Sequence, residues 1–171
     1  MSINLDFLRN NKKIIIIYRN NGNSEKYTKV NTFRKKCKAK NFKFYVANNY
    51  RLAKSCNADG LYLSAYNRKI YPFNYYNLIG SAHNFKEIHQ KIKQGCKTII
   101  LSRLFRTSYK HKKTYLGVIK FNLIKKNYLI KLIPLGGITN DNLLKLNLVK
   151  TEGFCLSSEI KKKPVISNRL F

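Results

Sequence analysis

Short, continuous apolar runs alternate along this chain with longer polar stretches that can form helices, and this alternation constrains the fold more than any other feature. The runs are Lys13–Tyr18, Phe42–Ala47, Gly60–Leu63, Asn77–Gly80, Thr98–Leu101, Lys131–Leu135 and Gly153–Leu156. Runs this short are strands rather than helices, and because they are apolar at consecutive positions, both faces of the sheet must be covered. The covering elements are expected between them, as helices at about Ser24–Lys40, Asn49–Asn57, Phe85–Gln94, Leu116–Lys126 and Asn140–Leu146. Strand and helix in alternation predict a parallel α/β sheet.

One segment carries more chemistry than the rest. Ile133-Pro134-Leu135-Gly136-Gly137-Ile138-Thr139-Asn140-Asp141-Asn142 reads as a buried strand, a paired-glycine turn and a helix start. Adjacent glycines allow positive φ and close approach of backbone to a ligand, and a helix start offers free N–H groups to an anion. Gly153-Phe154-Cys155-Leu156-Ser157-Ser158 then reads as another strand ending in hydroxyls. In a (β/α)8 barrel the loops after the last two strands are a common phosphate site. Taken alone, Gly-Gly fits an ordinary turn equally well. Seven strands fit a TIM-type (β/α)8 barrel lacking one unit better than an open sheet, and 171 residues fall short of the roughly 200 a complete barrel takes. Residues 1–160 are therefore expected to form one domain, followed by a basic tail at 161–171.

Charge is the loudest compositional signal. Lys and Arg number 35 against 7 acids, for a formal charge of +28, a balance that points to polyanions when it is concentrated. Here it is dispersed, Lys outnumbers Arg, and Asn, Ile and Tyr are also abundant, which is the signature of A/T-rich codons. No specific nucleic-acid partner is expected. No apolar run approaches the length of a membrane span, and the first residues lack a signal-peptide pattern, so a cytoplasmic protein with no membrane partner is expected. Cys37, Cys56, Cys96 and Cys155 stand singly, and His83, His89 and His111 form no ligand pair, so neither a disulfide framework nor zinc is expected. Oligomeric state is not encoded in any of these features.

Six motifs in order carry a resemblance. They are Ala58-Asp59-Gly60-Leu61-Tyr62-Leu63, Ile79-Gly80-Ser81-Ala82-His83, Leu101-Ser102-Arg103-Leu104-Phe105-Arg106-Thr107-Ser108, Leu116-Gly117, Pro134-Leu135-Gly136-Gly137-Ile138 with Asn142, and Gly153 to Ser158. Together, from about Lys13 to Ile160, they resemble the thiamine phosphate synthase and thiazole tautomerase family. The resemblance implies a TIM-type barrel whose first strand and closing helix are missing here. It also implies a role in thiamine biosynthesis as a transferase: hydroxymethylpyrimidine diphosphate loses pyrophosphate, and the nitrogen of a thiazole phosphate captures the resulting carbocation. The implied partners are these small phosphorylated pyrimidine and thiazole substrates, and the implied cofactor is Mg²⁺.

By position, the resemblance places Arg19 and Lys110 as the catalytic, pyrophosphate-handling cations, and Ser81, Thr107, Gly137, Ser157 and Ser158 in substrate binding. Arg19 by itself fits a solvated strand-end side chain, Lys110 a generic basic loop beside Lys112 and Lys113, and His83 a helix-capping histidine. The family's two metal carboxylates fall on Asn48 and Asn67, its pyrophosphate-side glutamine on Ile17 and a lysine on Asn21. No metal ligand is assigned in this chain. The tautomerase histidine falls on Arg103, which stays protonated and is no ordinary base. Four functions remain open: a thiamine phosphate synthase, with catalysis impaired where the carboxylates are lost; a catalytically inactive phosphate-ligand-binding homologue; a thiazole tautomerase; and a basic nucleic-acid-binding module.

Overall fold

The computed structural model describes residue 5, residue 8 and residues 11–19, 27–71, 77–107 and 114–156. In chain order the elements are β1 (Ile15–Tyr18), α1 (Tyr27–Ala39), β2 (Lys43–Ala47), α2 (Tyr50–Ser55), β3 (Gly60–Leu63), β4 (Asn77–Ala82), α3 (Phe85–Lys93), β5 (Thr98–Ser102), α4 (Gly117–Lys126), β6 (Lys131–Leu135) and a 3₁₀ helix (Asn140–Leu148). Every strand pairs in parallel with its sequence neighbour, giving the sheet order β1-β2-β3-β4-β5-β6. The seventh predicted run joins only at Cys155, through a parallel bridge to Leu135. Among the described residues no helix lies between β3 and β4.

Period-two alternation divides the strands between two cores, which is why their sequences are apolar at consecutive positions. Phe44, Val46, Leu61, Leu63, Leu78, Ile99, Leu101 and Leu132 belong to the larger core, with Val30 and Cys37 of α1, Ile88 of α3, and Phe121 and Ile124 of α4. Leu61, Leu63, Ile99 and Leu101 are fully buried, each stabilising the fold by about 2 kcal/mol relative to exposure. The intervening residues Tyr45, Tyr62, Ile79 and Ile100 form a second core on the opposite face, with Ile17, Ala47, Ile133, Leu135 and Cys155 packed against them. Gly60 lies under the Tyr45 ring, which a Cβ there would strike. Arg19, just past β1, lies within electrostatic reach of Cys155 beside β6. The two edges of the sheet therefore face the same inner space, as in a curled sheet.

The expected helices and strands fall close to their sequence positions. One element differs in kind: the helix expected at Asn140–Leu146 is a 3₁₀ helix. Leu143 and Leu146 pack against the core and Val149 is part of it. That spacing of three matches three residues per turn, whereas Leu144 and Leu148, on the alternative spacing of four, are exposed. Residues 24–26 of the first expected helix and the tail at 161–171 lie outside the described residues.

Candidate active site

In a parallel sheet all C-terminal strand ends lie on one side, so the residues that follow them share a mouth. Three groups of side chains line it.

The first is on the inner face. The Arg19 guanidinium sits over the Tyr62 ring, 5.7 Å from its centroid, a cation–π contact that holds a permanent charge in place. Ala47 pairs in register with Tyr62. Ser81, two residues beyond Ile79 on β4, faces the same inner space as Tyr62. Burial raises the Tyr62 pKa, while Ser81 and Arg19 oppose the rise, so the phenol is neutral at physiological pH. Burial likewise pushes the Cys155 thiol up to about 11, with Arg19 opposing. Cys155 is therefore a packing group, not a nucleophile.

The second group follows β5 and β6. Gly136 and Gly137 have φ of 99° and 69°. A Cβ on Gly136 would lie 2.9 Å from Arg103 Cγ, and one on Gly137 would strike the carbonyl oxygens of Phe105 and Arg106. The Leu104 and Phe105 N–H groups donate to the Leu135 and Gly136 carbonyls, each at 3.0 Å. The paired glycine thus brings the loop after β5 onto the turn after β6. Asn142 clips this turn: its Oδ1 accepts from the Thr139 N–H at 3.0 Å and its Nδ2 donates to the Gly137 carbonyl at 2.6 Å. In the same loop an Arg103 guanidinium N–H donates to Thr107 Oγ1 at 2.8 Å. Ser102 Oγ is 2.7 Å from His83 Nδ1. The His83 N–H donates to Glu87 at 2.7 Å, and Glu87's own N–H donates to Asn84 Oδ1 at 2.9 Å. The backbone N–H of His83 therefore belongs to the α3 capping arrangement, while its imidazole faces Ser102 at the end of β5.

The third group follows β2 and β3. Asn48 and Asn67, 19 residues apart in sequence, meet directly, with Nδ2 of Asn67 donating to Oδ1 of Asn48 at 3.0 Å. Oδ1 of Asn48 also accepts the Ser64 N–H at 2.9 Å, and its Nδ2 donates to Ser64 Oγ at 3.1 Å. Oδ1 of Asn67 accepts the Lys69 N–H at 2.9 Å, and its Nδ2 also donates to the Tyr71 hydroxyl at 3.3 Å. The ring of Tyr71 stacks on that of Tyr50 at 6.0 Å. Beneath lies Lys91, fully buried. Its stem passes over Gly80, where a Cβ would be 2.7 Å from Lys91 Cγ. Its ammonium donates to the Asn67 carbonyl at 2.7 Å and to Gln94 Oε1 at 2.9 Å, and Gln94 Nε2 donates to the Asn67 and Lys69 carbonyls at 3.1 and 2.7 Å. Desolvation lowers the Lys91 pKa.

These residues do not fit Mg²⁺. The ion takes oxygen ligands in near-ideal octahedral geometry and is usually held through carboxylates, whereas Asn48 and Asn67 are neutral and each side-chain oxygen already accepts hydrogen bonds. Of the described acids, Glu87 caps α3, Asp141 stands alone in the first turn of the 3₁₀ helix after β6, and Asp59, bonded to the Phe44 N–H, and Glu152, paired with Lys131, lie at the opposite end of the sheet. No cluster of three His, Cys, Asp or Glu side chains able to hold a metal occurs among the described residues.

Of the residues singled out in the sequence, Arg19 and Ser81 come together on the inner face, while Thr107 and Gly137 come together through the loop after β5. Lys110, Ser157 and Ser158 lie outside the described residues. Tyr62 and Lys91 escaped the sequence reading. Tyr62 alternates in phase with Gly60 on a run of buried residues, and Lys91 stands three residues from buried Ile88 on α3. Those phases were the available signals. No helix among the described residues is long and apolar enough to cross a membrane.

Comparison with known proteins gives one consistent result. A sequence profile described as thiamine monophosphate synthase matches residues 6–160. A thiamine-phosphate synthase of Prochlorococcus marinus (strain AS9601) is 31% identical over 125 residues, covering 69% of this chain and 34% of the relative. The thiamine-phosphate synthase of a second Prochlorococcus marinus strain is 30% identical over 120 residues, covering 66% and 34%. The chain therefore spans about a third of the length of the curated relatives it matches. A solved thiamine phosphate pyrophosphorylase from Pyrococcus furiosus superposes with a TM-score of 0.72 at 19% identity, covering 87% of this chain and 75% of that one, a likeness of fold.

Proposed function

This chain belongs to the thiamine monophosphate synthase family, and from that premise we propose that its mouth carries out the synthase reaction: transfer of a hydroxymethylpyrimidine group from its diphosphate to the nitrogen of a thiazole phosphate. We take the sheet as a TIM-type barrel lacking its first strand and closing helix, and the sequence 1–160 as one domain. The observation that carries the reading is the placement of Arg19 over Tyr62 on the inner face, at the same strand ends as the Gly136–Gly137 turn.

In the reaction the bond between the pyrimidine's exocyclic methylene and the diphosphate oxygen breaks, its electron pair leaving with pyrophosphate. The thiazole nitrogen's lone pair then forms the new C–N bond. No strong base is required. The chain has to hold two anions and stabilise the charge that develops on the leaving oxygen. Arg19 presents a planar, permanently charged fork suited to that group. Ser81 offers a hydroxyl to the pyrimidine, and Tyr62 and Ile100 close the inner face beneath it. Thr107, Gly137, Ser157 and Ser158 are assigned to the acceptor's phosphate and Lys110 to the diphosphate. The family's Mg²⁺ finds no fitting donors at Asn48 and Asn67, so no step is routed through it.

The closed Asn48–Asn67 amide pair favours a second reading, in which the chain binds these ligands without turning them over. Expression in a cell that lacks its own synthase separates the two. Growth without added thiamine supports the enzyme, and failure to grow despite soluble, folded protein supports the binding-only homologue. We further propose a cytoplasmic location, with no specific nucleic acid and no membrane as partner.

A further inference from the structure

We propose that this mouth binds diphosphate without a divalent cation, because the two positions that match metal-binding carboxylates hold amides that satisfy each other. The inference rests on the reading of the mouth as a diphosphate-handling site.

Two carboxylates held this close repel one another, and one would stay protonated unless a cation lay between them. Asn48 and Asn67 remove that requirement, since the contact between them is itself an attractive N–H···O bond at 3.0 Å. Surrounding groups hold the pair in place. Both side-chain oxygens accept backbone N–H groups, from Ser64 and Lys69, and both side-chain nitrogens donate, to Ser64, Asn48 and Tyr71. A dication entering here would compete with the two bonds that Asn48 Oδ1 accepts and would gain only neutral ligands.

Lys91 adds a second, independent obstacle. Its buried ammonium holds the Asn67 carbonyl at 2.7 Å, so the loop that carries Asn67 is already anchored by a fixed positive charge. A further cation beside it is opposed by like-charge repulsion. Asn48, with φ of 57°, occupies a left-handed conformation that Asp also tolerates. Asparagine is therefore not imposed by the backbone, and the carboxylate can be restored without changing the turn. The charge that faces a bound diphosphate then comes from the chain's own cations, with Arg19 on the inner face first among them.

Calorimetry with inorganic pyrophosphate, in EDTA and then in saturating Mg²⁺, tests the proposal, together with thermal unfolding in Mg²⁺ alone. The expected result for the wild-type chain is pyrophosphate binding in EDTA that Mg²⁺ tightens by less than threefold, and a Tm unmoved by Mg²⁺. In Asn48→Asp/Asn67→Asp, Mg²⁺ should raise the Tm and tighten pyrophosphate binding at least tenfold. If the double variant does not fold, Asn67→Asp alone should show the same sign. Wild-type binding that Mg²⁺ strengthens tenfold or more, or that is absent in EDTA, overturns the proposal. A chain that binds pyrophosphate in EDTA but forms no thiamine phosphate loses the enzymatic reading and keeps this one.

Discussion

The two sides of the mouth are built from opposite materials. After β5 and β6 the backbone sets the shape, with two glycines at positive φ allowing one loop to press on the next and Asn142 clipping the turn. After β2 and β3 side chains set it, through the Asn48, Asn67, Gln94 and Lys91 network that ties an irregular segment to the sheet where no helix is described. Backbone architecture tolerates almost no change at its glycines. A side-chain network can exchange its chemistry while keeping its shape.

The largest effect should come from breaking the backbone side. Gly137→Ala places a Cβ against the Phe105 and Arg106 carbonyls at φ of 69°. Strain and clash together should cost roughly 3 kcal/mol, lowering Tm by about 6–12 °C in a thermal melt. Gly136→Ala meets the movable Arg103 side chain instead and should cost less. Equal losses at both positions would show that positive φ, and not the close approach of the loops, sets the turn.

A middle-sized effect should come from the side-chain network. Lys91→Met keeps the stem over Gly80 but leaves Gln94 Oε1 and the Asn67 carbonyl short of a donor. Relief from burying a charge offsets part of the loss, so a net destabilisation of about 2 kcal/mol is expected, read from urea midpoints. A gain in stability would mean that desolvation of the ammonium outweighs its hydrogen bonds and that Lys91 is retained for the site.

An effect confined to alkaline pH is the titration of the buried thiols, which contrasts the two cores. Burial pushes Cys37 and Cys96 of the larger core, and Cys155 of the inner one, up to about 11 from an ordinary 9.0. A raised pKa means that the folded chain holds the proton more tightly than the unfolded chain. This stabilisation is complete below pH 9 and is lost as pH rises from about 9 toward 11. Urea midpoints should fall across that window. In Cys37→Ala, Cys96→Ala and Cys155→Ala variants the fall should shrink, and an unchanged slope in all three would assign it to other groups.

How much of this was legible in the sequence follows from the same contrast. Strand positions were readable because both sheet faces are buried, so Val46, Leu61 and Ile99 lie in unbroken apolar runs. The paired glycines were readable because only glycine suits such a turn without cost. Kind of helix was not readable at Asn140–Leu148, where leucines at spacings of three and four compete and only packing against the core selects the first. Lys91 was hidden because it is one of 35 cations, and nothing but its buried phase on α3 separates it from solvated neighbours. The meeting of Asn48 and Asn67 is a tertiary fact, since residues so far apart in sequence are joined only by the parallel register of β2 and β3.

The central claim is that this mouth joins two phosphorylated precursors, and product formation by the purified chain tests it most directly. Incubated with hydroxymethylpyrimidine diphosphate and thiazole phosphate, the chain should yield thiamine phosphate and pyrophosphate in equal amounts, separated by chromatography. Arg19→Gln should lower kcat/KM by about tenfold or more, the loss of a charge-assisted contact to the leaving group, with little change in Tm because Arg19 is exposed. Absence of product from a folded chain that binds both ligands would contradict the account and leave a binding protein in the enzyme's fold.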